Sequence, residues 1–321
     1  MSPAIGPAES ASSTSGDGVR GRSPRRKHPP ASAASGRRAP GRRLFATLRQ
    51  SPLLFAGIIL VALFVAVAAL APWLAPYDPM AITGASFEHP SSAHLLGTND
   101  VGSDILSRVI WGTRTSLVVS VTATALVLAI GIAIGLTAGL RGGFVDTALM
   151  RIVDVFLALP VLPLLVIIAA LAGPSVGVSI LMIGLFGWPQ TARLVRSETL
   201  TLRRRGFVDM ARGFGAGPFY VMRRHLATAL GPIIAANLVF VAGLAVSIEA
   251  GLAFIGLSDP TAVSWGAELN RALEGGQVFL GSTWLWSLLP PGLALTLAVL
   301  GFTFIGVGLE PEFNPRWRRA T

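Results

Sequence analysis

A polar, arginine-dense insert interrupts an otherwise very apolar chain. It reads Val208-Asp209-Met210-Ala211-Arg212-Gly213-Phe214-Gly215, with Arg203, Arg204, Arg205, Arg212, Arg223 and Arg224 in and around it. These residue types suit docking rather than bond-making chemistry. Phe207, Ala211, Phe214 and Gly215 fall at i, i+4, i+7 and i+8, one face of a helix. Gly215 suits the left-handed position that ends such a helix, and Pro218 suits the first turn of another. In that second helix Phe219, Met222 and Leu226 repeat at i, i+3 and i+7 beside polar Arg223, Arg224 and His225. The spacing therefore predicts two short helices around a turn over 199–229, an apolar ridge on a basic hairpin. Such an element either seats in a groove on a partner or lies along a membrane surface with its arginines setting orientation.

Other reactive side chains are scarce. The chain has no cysteine, hence no thiolate metal site or disulfide framework. Its four histidines, His28, His89, His94 and His225, lie outside the apolar runs, which argues against a histidine metal cluster. A nucleotide-binding P-loop needs a lysine to reach the terminal phosphates. The single lysine, Lys27, stands in Arg26-Lys27-His28, far from any such loop. If the chain serves an ATP-driven machine, hydrolysis belongs to another polypeptide, and no cofactor is expected on this one. Asp154 and Glu249 are the acids that fall within apolar runs, where a carboxylate is costly and a functional candidate by default. Glu249 reads either as a residue of a translocation path or as a satisfied structural carboxylate near a helix end. Asp154 lies near Arg151, which predicts an ion pair at a membrane edge. Neither belongs to a series of protonatable groups, which argues against a proton-coupled carrier.

The elements that must carry these residues are membrane helices. The chain has 321 residues, 52% hydrophobic and 13% charged, with a mean hydropathy of +0.64. That charged share is about half the usual soluble level, so the chain reads as an all-α membrane protein. Leu53 to Ala71 is long enough to cross a bilayer and too long for a signal peptide's apolar core. Further spans are expected at roughly 117–140, 150–172, 176–195, 232–257 and 284–309, about six in all. Gly and Pro breaks such as Pro160, Pro163 and Pro189 are tolerated where neighbouring helices re-satisfy the backbone. Residues 1–45, rich in Ser, Pro, Gly, Ala and Arg, are expected to form a disordered basic tail. Residues 46–75 then carry the first span, 76–116 an external segment, and 117–317 a core of five spans with a cytoplasmic loop at 198–230 and an external loop at 258–283.

A net charge of +10 is compatible with nucleic acid, but its placement argues topology instead. With both termini inside, every basic residue except Arg108, Arg114 and Arg271 falls in tails or cytoplasmic loops. The arginine-rich hairpin is then cytoplasmic.

Several segments share one resemblance. Arg193-Leu194-Val195-Arg196, the acidic-x-Ala-x-x-x-Gly core at Asp209, Ala211 and Gly215, and the terminal Arg224-His225 resemble the cytoplasmic "EAA" loop of bacterial ABC importer permeases. Asp209 stands where that family has Glu, Met210 where it has Ala, and a proline usual after "RH" is absent. Leu96-Gly97-Thr98-Asn99-Asp100 through Arg108, with Gly112-Thr113-Arg114-Thr115-Ser116-Leu117, resembles the segment ahead of the second span in dipeptide, oligopeptide and nickel permeases. Read physically, Asp100 and Asp104 are helix-start carboxylates that Arg108 and Arg114 can pair with. Met150 to Pro160, Ser247 to Leu257 and Gly306 to Arg316 extend the resemblance over about 50–317, closest to the second permease of the pair.

The resemblance implies a type I ABC importer permease fold with a coupling-helix hairpin, in a bacterial cytoplasmic membrane. Phe207, Asp209, Met210, Ala211 and Gly215 would then couple the chain to ATPase subunits. It further implies a homologous permease partner, two ATP-binding subunits that use ATP and Mg, and an external solute-binding protein, with no catalysis on this chain. Peptides are the implied cargo, with nickel complexes or another small solute as the alternative. A secondary transporter is the rival outside that family.

Overall fold

The computed structural model describes residues 51–204, 210, 215, 227–276, 279 and 281–313, all within one compact unit, Leu44–Thr321. Residues 1–45 lie outside the described residues. Nine helices are assigned in the described residues: α1 Pro52–Leu74, α2 Ile105–Arg141, α3 Gly143–Ala158, α4 Val161–Ala172, α5 Val176–Arg203, α6 Ala227–Phe254, α7 Trp265–Glu274, α8 Trp284–Ser287 and α9 Leu289–Phe313. A single isolated bridge, Thr98 to Asp104, is the β pairing among them. Five helical stretches are long and apolar enough to span a membrane, and the α3–α4 pair, bent by 83°, makes a sixth if its two helices are one broken span.

The bend has a local cause. Pro160 cannot continue a helix, and its ring pushes the preceding residue out of the helical region. Leu159 accordingly adopts φ −72°, ψ 138°, and Pro160 caps α4. The apolar run over 150–172, expected as one span interrupted at Pro160 and Pro163, is therefore two helices.

Helix direction counts the crossings. Along α2 and α5 the contacts advance together: Gly131 meets Thr191, Gly135 meets Ala192 and Val195, and Gly139 meets Thr199. These two helices are parallel, so α3 and α4 must return the chain to the other end of the bundle between them. Val119 and Ala123 pack with Val176 at the start of α5. The return from Arg141 to that level is roughly 33 Å at 1.5 Å per residue, about a hydrocarbon core. Five to six crossings result, six when α3–α4 is one broken span, with α1 antiparallel to α9 through Leu54–Gly308 and Val61–Gly301.

Glycine makes the α2–α5 seam possible. A Cβ on Gly131 would lie 2.6 Å from Thr191 Cβ, and one on Gly135 would lie 2.6 Å from the Ala192 carbonyl oxygen. Small residues at four-residue spacing let membrane helices approach this closely, where packing rather than hydrophobic exclusion drives association. By contrast α1 is apolar all round, with Phe55, Ile59, Leu63 and Val65 exposed, as a lipid-facing helix should be.

α2 starts at Ile105, well before the apolar run at 117. Its first turns carry Ser107, Arg108 and Thr113, polar side chains that are nonetheless buried. Tertiary contacts, not hydropathy, set that end.

Candidate functional site

The described polar chemistry gathers at two opposite ends of the bundle, with a groove between them. At one end, residues 76–104 fold over the start of α2. Asp104 caps that helix, its carboxylate accepting from the Ser107 amide at 2.8 Å and the Ser107 hydroxyl at 2.7 Å. Its other oxygen stands 3.0 Å from His94 Nδ1. Asp104 is thus the helix-start carboxylate expected, but its partners are His94 and the helix itself rather than Arg108 or Arg114. Arg108 points across to α7, where Nε donates to Glu268 Oε1 at 2.7 Å and Nη1 to the Pro79 carbonyl. Arg114 lies over the Trp111 ring, 5.6 Å from its centroid.

Glu249 sits close to this end, on α6. It is 3% exposed and accepts from the Ser116 hydroxyl of α2 at 3.0 Å. The Ser264 hydroxyl, which caps α7, also hydrogen-bonds it. One carboxylate therefore holds three helices together, which satisfies a charge that would otherwise be costly to bury.

At the opposite end, the last turns of α5 are tied to their neighbours by arginines. Arg196 grips Asp146 of α3 with two nitrogens, Nε to Oδ1 and Nη2 to Oδ2, the second at 2.7 Å. Arg193 donates to Asp154, also on α3. The pairing expected for Asp154 was Arg151, its sequence neighbour. Asp154 instead faces α5, while Arg151 is exposed. Arg203 Nη1 donates to the Leu140 carbonyl at 3.1 Å, near the end of α2, where helix carbonyls lack intrahelical donors. Between these ion pairs Val153 packs on Trp188 and Ala192.

The arginine-rich segment follows the end of α5 at Arg203 in sequence, and beyond Arg204 two of its residues are described. Met210 is helical and 66% exposed, free to touch another molecule. Gly215 has φ +82° with open space where a Cβ would stand, so the left-handed turn read from its sequence position is present. Phe207, Asp209 and Ala211 lie outside the described residues, as does the segment from Asn314.

A groove of about 1150 Å³ runs along α5, α6 and α9. Its walls are mostly apolar, with Phe240, Leu244 and Phe302 among them, and its polar groups are Glu198, Asn237, Ser247 and Thr303. Asn237 Nδ2 donates to Thr191 Oγ1 at 3.0 Å, fixing the carboxamide at the α5–α6 seam. Neither Asp154 nor Glu249 lines this groove. Apart from Glu198, its polar residues are ordinary Asn, Ser and Thr in apolar runs, with no motif to mark them, and the helix packing assembles them.

Comparison with known proteins adds names to this geometry. Residues 131–319 match the family described as binding-protein-dependent transport system inner membrane component. Residues 39–91 match the N-terminal transmembrane domain of oligopeptide transport permease C. A Brucella suis protein that carries the name of a peptide permease is 37% identical over 276 residues, 84% of this chain and 88% of the relative. Escherichia coli K12 DdpC, which carries the name of a D,D-dipeptide transport system permease, is 33% identical over 279 residues, 86% and 92% of the two chains. A third relative from Brucella suis, named for a peptide transport system permease, is 35% identical over 263 residues. With its helices, its order of motifs and these matches in agreement, the chain belongs to the family of binding-protein-dependent transport system inner membrane components, and is a multi-pass permease subunit rather than an enzyme.

Proposed function

We propose that this permease imports di- or oligopeptides as one half of a membrane channel driven by separate ATPase subunits. Relatives named as peptide and dipeptide permeases support the cargo. What supports the coupling role is the arginine-dense sequence after α5, read as a docking hairpin, together with a single lysine that cannot serve a P-loop. The motor is therefore on a partner.

In this reading Phe207, Asp209, Met210, Ala211 and Gly215 meet the ATPase. Arg141, Arg151, Arg193, Arg196, Arg203 and Arg204 cluster at the hairpin end, against Arg108, Arg114 and Arg271 at the other. The positive-inside rule puts the hairpin end in the cytoplasm, and with six crossings both termini as well. The groove of α5, α6 and α9 faces the homologous permease and supplies this chain's side of the path. Closure of the ATPase pair rocks the helices between two access states. An external solute-binding protein delivers peptide to the opposite end, where Glu249 and Arg108 brace the helices.

Reconstituting the permease pair with its ATP-binding subunits and binding protein in vesicles tests this. Labelled peptide should accumulate with ATP and not with a non-hydrolysable analogue. Equal accumulation in both conditions would exclude the ATP-driven reading, and uptake of nickel but not peptide would reassign the cargo.

A further inference from the structure

A coupling hairpin explains where force enters, but not how it reaches the rest of the chain. In that reading the hairpin follows α5 in sequence, and α5 on its own moves only what is fastened to it. Among the described contacts, three fastenings lie along its last turns. Arg203 holds the carbonyls at the end of α2, Arg196 holds Asp146, and Arg193 holds Asp154.

The Arg196–Asp146 pair differs in kind from an ordinary surface pair, whereas Arg193–Asp154 is a single contact between half-exposed side chains. Asp146 and Asp154 stand eight positions apart on α3, close to two helical turns, so they share one face. Val153 and Met150 lie between them against Trp188 and Ala192. The Arg196–Asp146 contact is two-pronged and partly buried, with side-chain exposures of 32% and 15%. A planar guanidinium held by both carboxylate oxygens resists rotation as well as separation, which a single contact does not. Beyond the second pair the chain breaks at Leu159 and Pro160 and turns by 83° into α4. α4 in turn packs through Leu165 and Ala169 on Met182 and Leu252. The chain therefore has two helical arms joined at a bend, the second packed toward the Glu249 end of the bundle.

We infer that the Arg196–Asp146 and Arg193–Asp154 pairs clamp α3 to α5, so that a stroke of the hairpin is delivered to the bent α3–α4 pair rather than lost between α5 and α3. The four residues are positioning residues: they touch neither nucleotide nor cargo. This rests on the coupled-importer reading above. Pairs within a force-bearing route alter how much of one event is converted into another, and loss of one changes that conversion even in a fully assembled protein.

The measured quantity is peptide moved per ATP hydrolysed, in vesicles holding the complete complex and normalised to assembled complexes, so losses in folding or yield do not enter the ratio. Asp146→Asn and Arg196→Gln should each lower the ratio by about fivefold, the size expected for residues that carry coupling. The reciprocal double variant, Asp146→Arg with Arg196→Asp, should recover at least half of it, because the charge pair is restored with its polarity reversed. A purely structural role would reduce yield and thermal stability but leave the ratio of surviving complexes unchanged, and that result overturns the clamp. A lowered ratio that the double variant does not recover also overturns it, since the pair is then not the cause. If the unsubstituted complex shows no ATP-dependent uptake, the importer reading itself falls, an outcome separate from either.

Discussion

Arg108 and Glu268 stand 160 positions apart in sequence, yet their side chains meet at 2.7 Å with only 2% and 3% of their surfaces exposed. This pair joins the start of α2 to α7 and holds the Pro79 carbonyl beside it. Its location explains why a polar helix start can be buried at the edge of a membrane bundle. Each charge is matched, and the surrounding hydroxyls of Ser107 and Thr113 have acceptors of their own.

Removing Glu268 leaves Arg108 as an uncompensated buried charge, which costs about 3–5 kcal/mol, and removing Arg108 leaves Glu268 with only the more distant Arg271, 3.9 Å away. Glu268→Ala and Arg108→Ala should therefore each lower the thermal stability of the detergent-solubilised protein sharply. Glu268→Gln should cost less, since an amide oxygen still accepts from Nε. Equal melting temperatures for all three variants would mean the pair contributes nothing to the fold.

The α2–α5 seam makes a second, steric prediction. Gly135→Leu places a branched side chain where a Cβ alone would come within 2.6 Å of the Ala192 oxygen and 2.8 Å of Val195 Cβ. Overpacking of this kind costs about 1–3 kcal/mol, or more where backbone must shift. Gly135→Ala should already be destabilising. Gly306→Ala on α9, with open space at its Cβ, should be neutral in the isolated subunit. Thermal unfolding of the three variants checks the order, and a stable Gly135→Leu protein would mean the helices do not approach this closely.

These contacts show where reading the chain stops. Long apolar runs locate the spans because a bilayer core demands about twenty such residues whatever the fold. The break at Pro160 was legible for the same local reason, but not its 83° angle, which depends on what α3 and α4 pack against. The start of α2 was legible in Asp104, but not the burial of Ser107 and Arg108, which depends on Glu268 arriving from far along the chain. Asp154 was assigned to Arg151 because sequence shows neighbours, whereas helix faces decide pairs. The hairpin's turn was legible in Gly215 because left-handed backbone has a residue signature. The groove's Asn237, Ser247 and Thr303 have none, since each is unremarkable until three helices bring them together.

Topology yields a third prediction, helped by a chain without cysteine. Single cysteines at Ser91, exposed beside the Arg108 end, and at Met210, exposed beyond α5, should behave oppositely toward a membrane-impermeant maleimide. Ser91→Cys should label in intact cells, and Met210→Cys only after the membrane is opened. The reverse pattern would invert the orientation. Labelling of both from outside would contradict six crossings.

The hairpin supplies the fourth. Gly215 holds φ +82°, whereas proline is confined near −65°, so Gly215→Pro cannot form the turn. The subunit itself leaves room for a side chain at this position, so within the subunit the constraint is backbone conformation. Asn enters the left-handed region more readily than other residues with a Cβ, so Gly215→Asn should keep much of the uptake that Gly215→Pro abolishes. Ala211→Arg should also abolish uptake, by adding bulk and charge to the face proposed to enter the ATPase. All three proteins should still insert into the membrane, as fractionation would show, because the spans lie elsewhere. Uptake retained by Gly215→Pro would remove the hairpin from the coupling route, and loss of Gly215→Asn to the same degree would make side-chain exclusion, not the turn, the operative constraint.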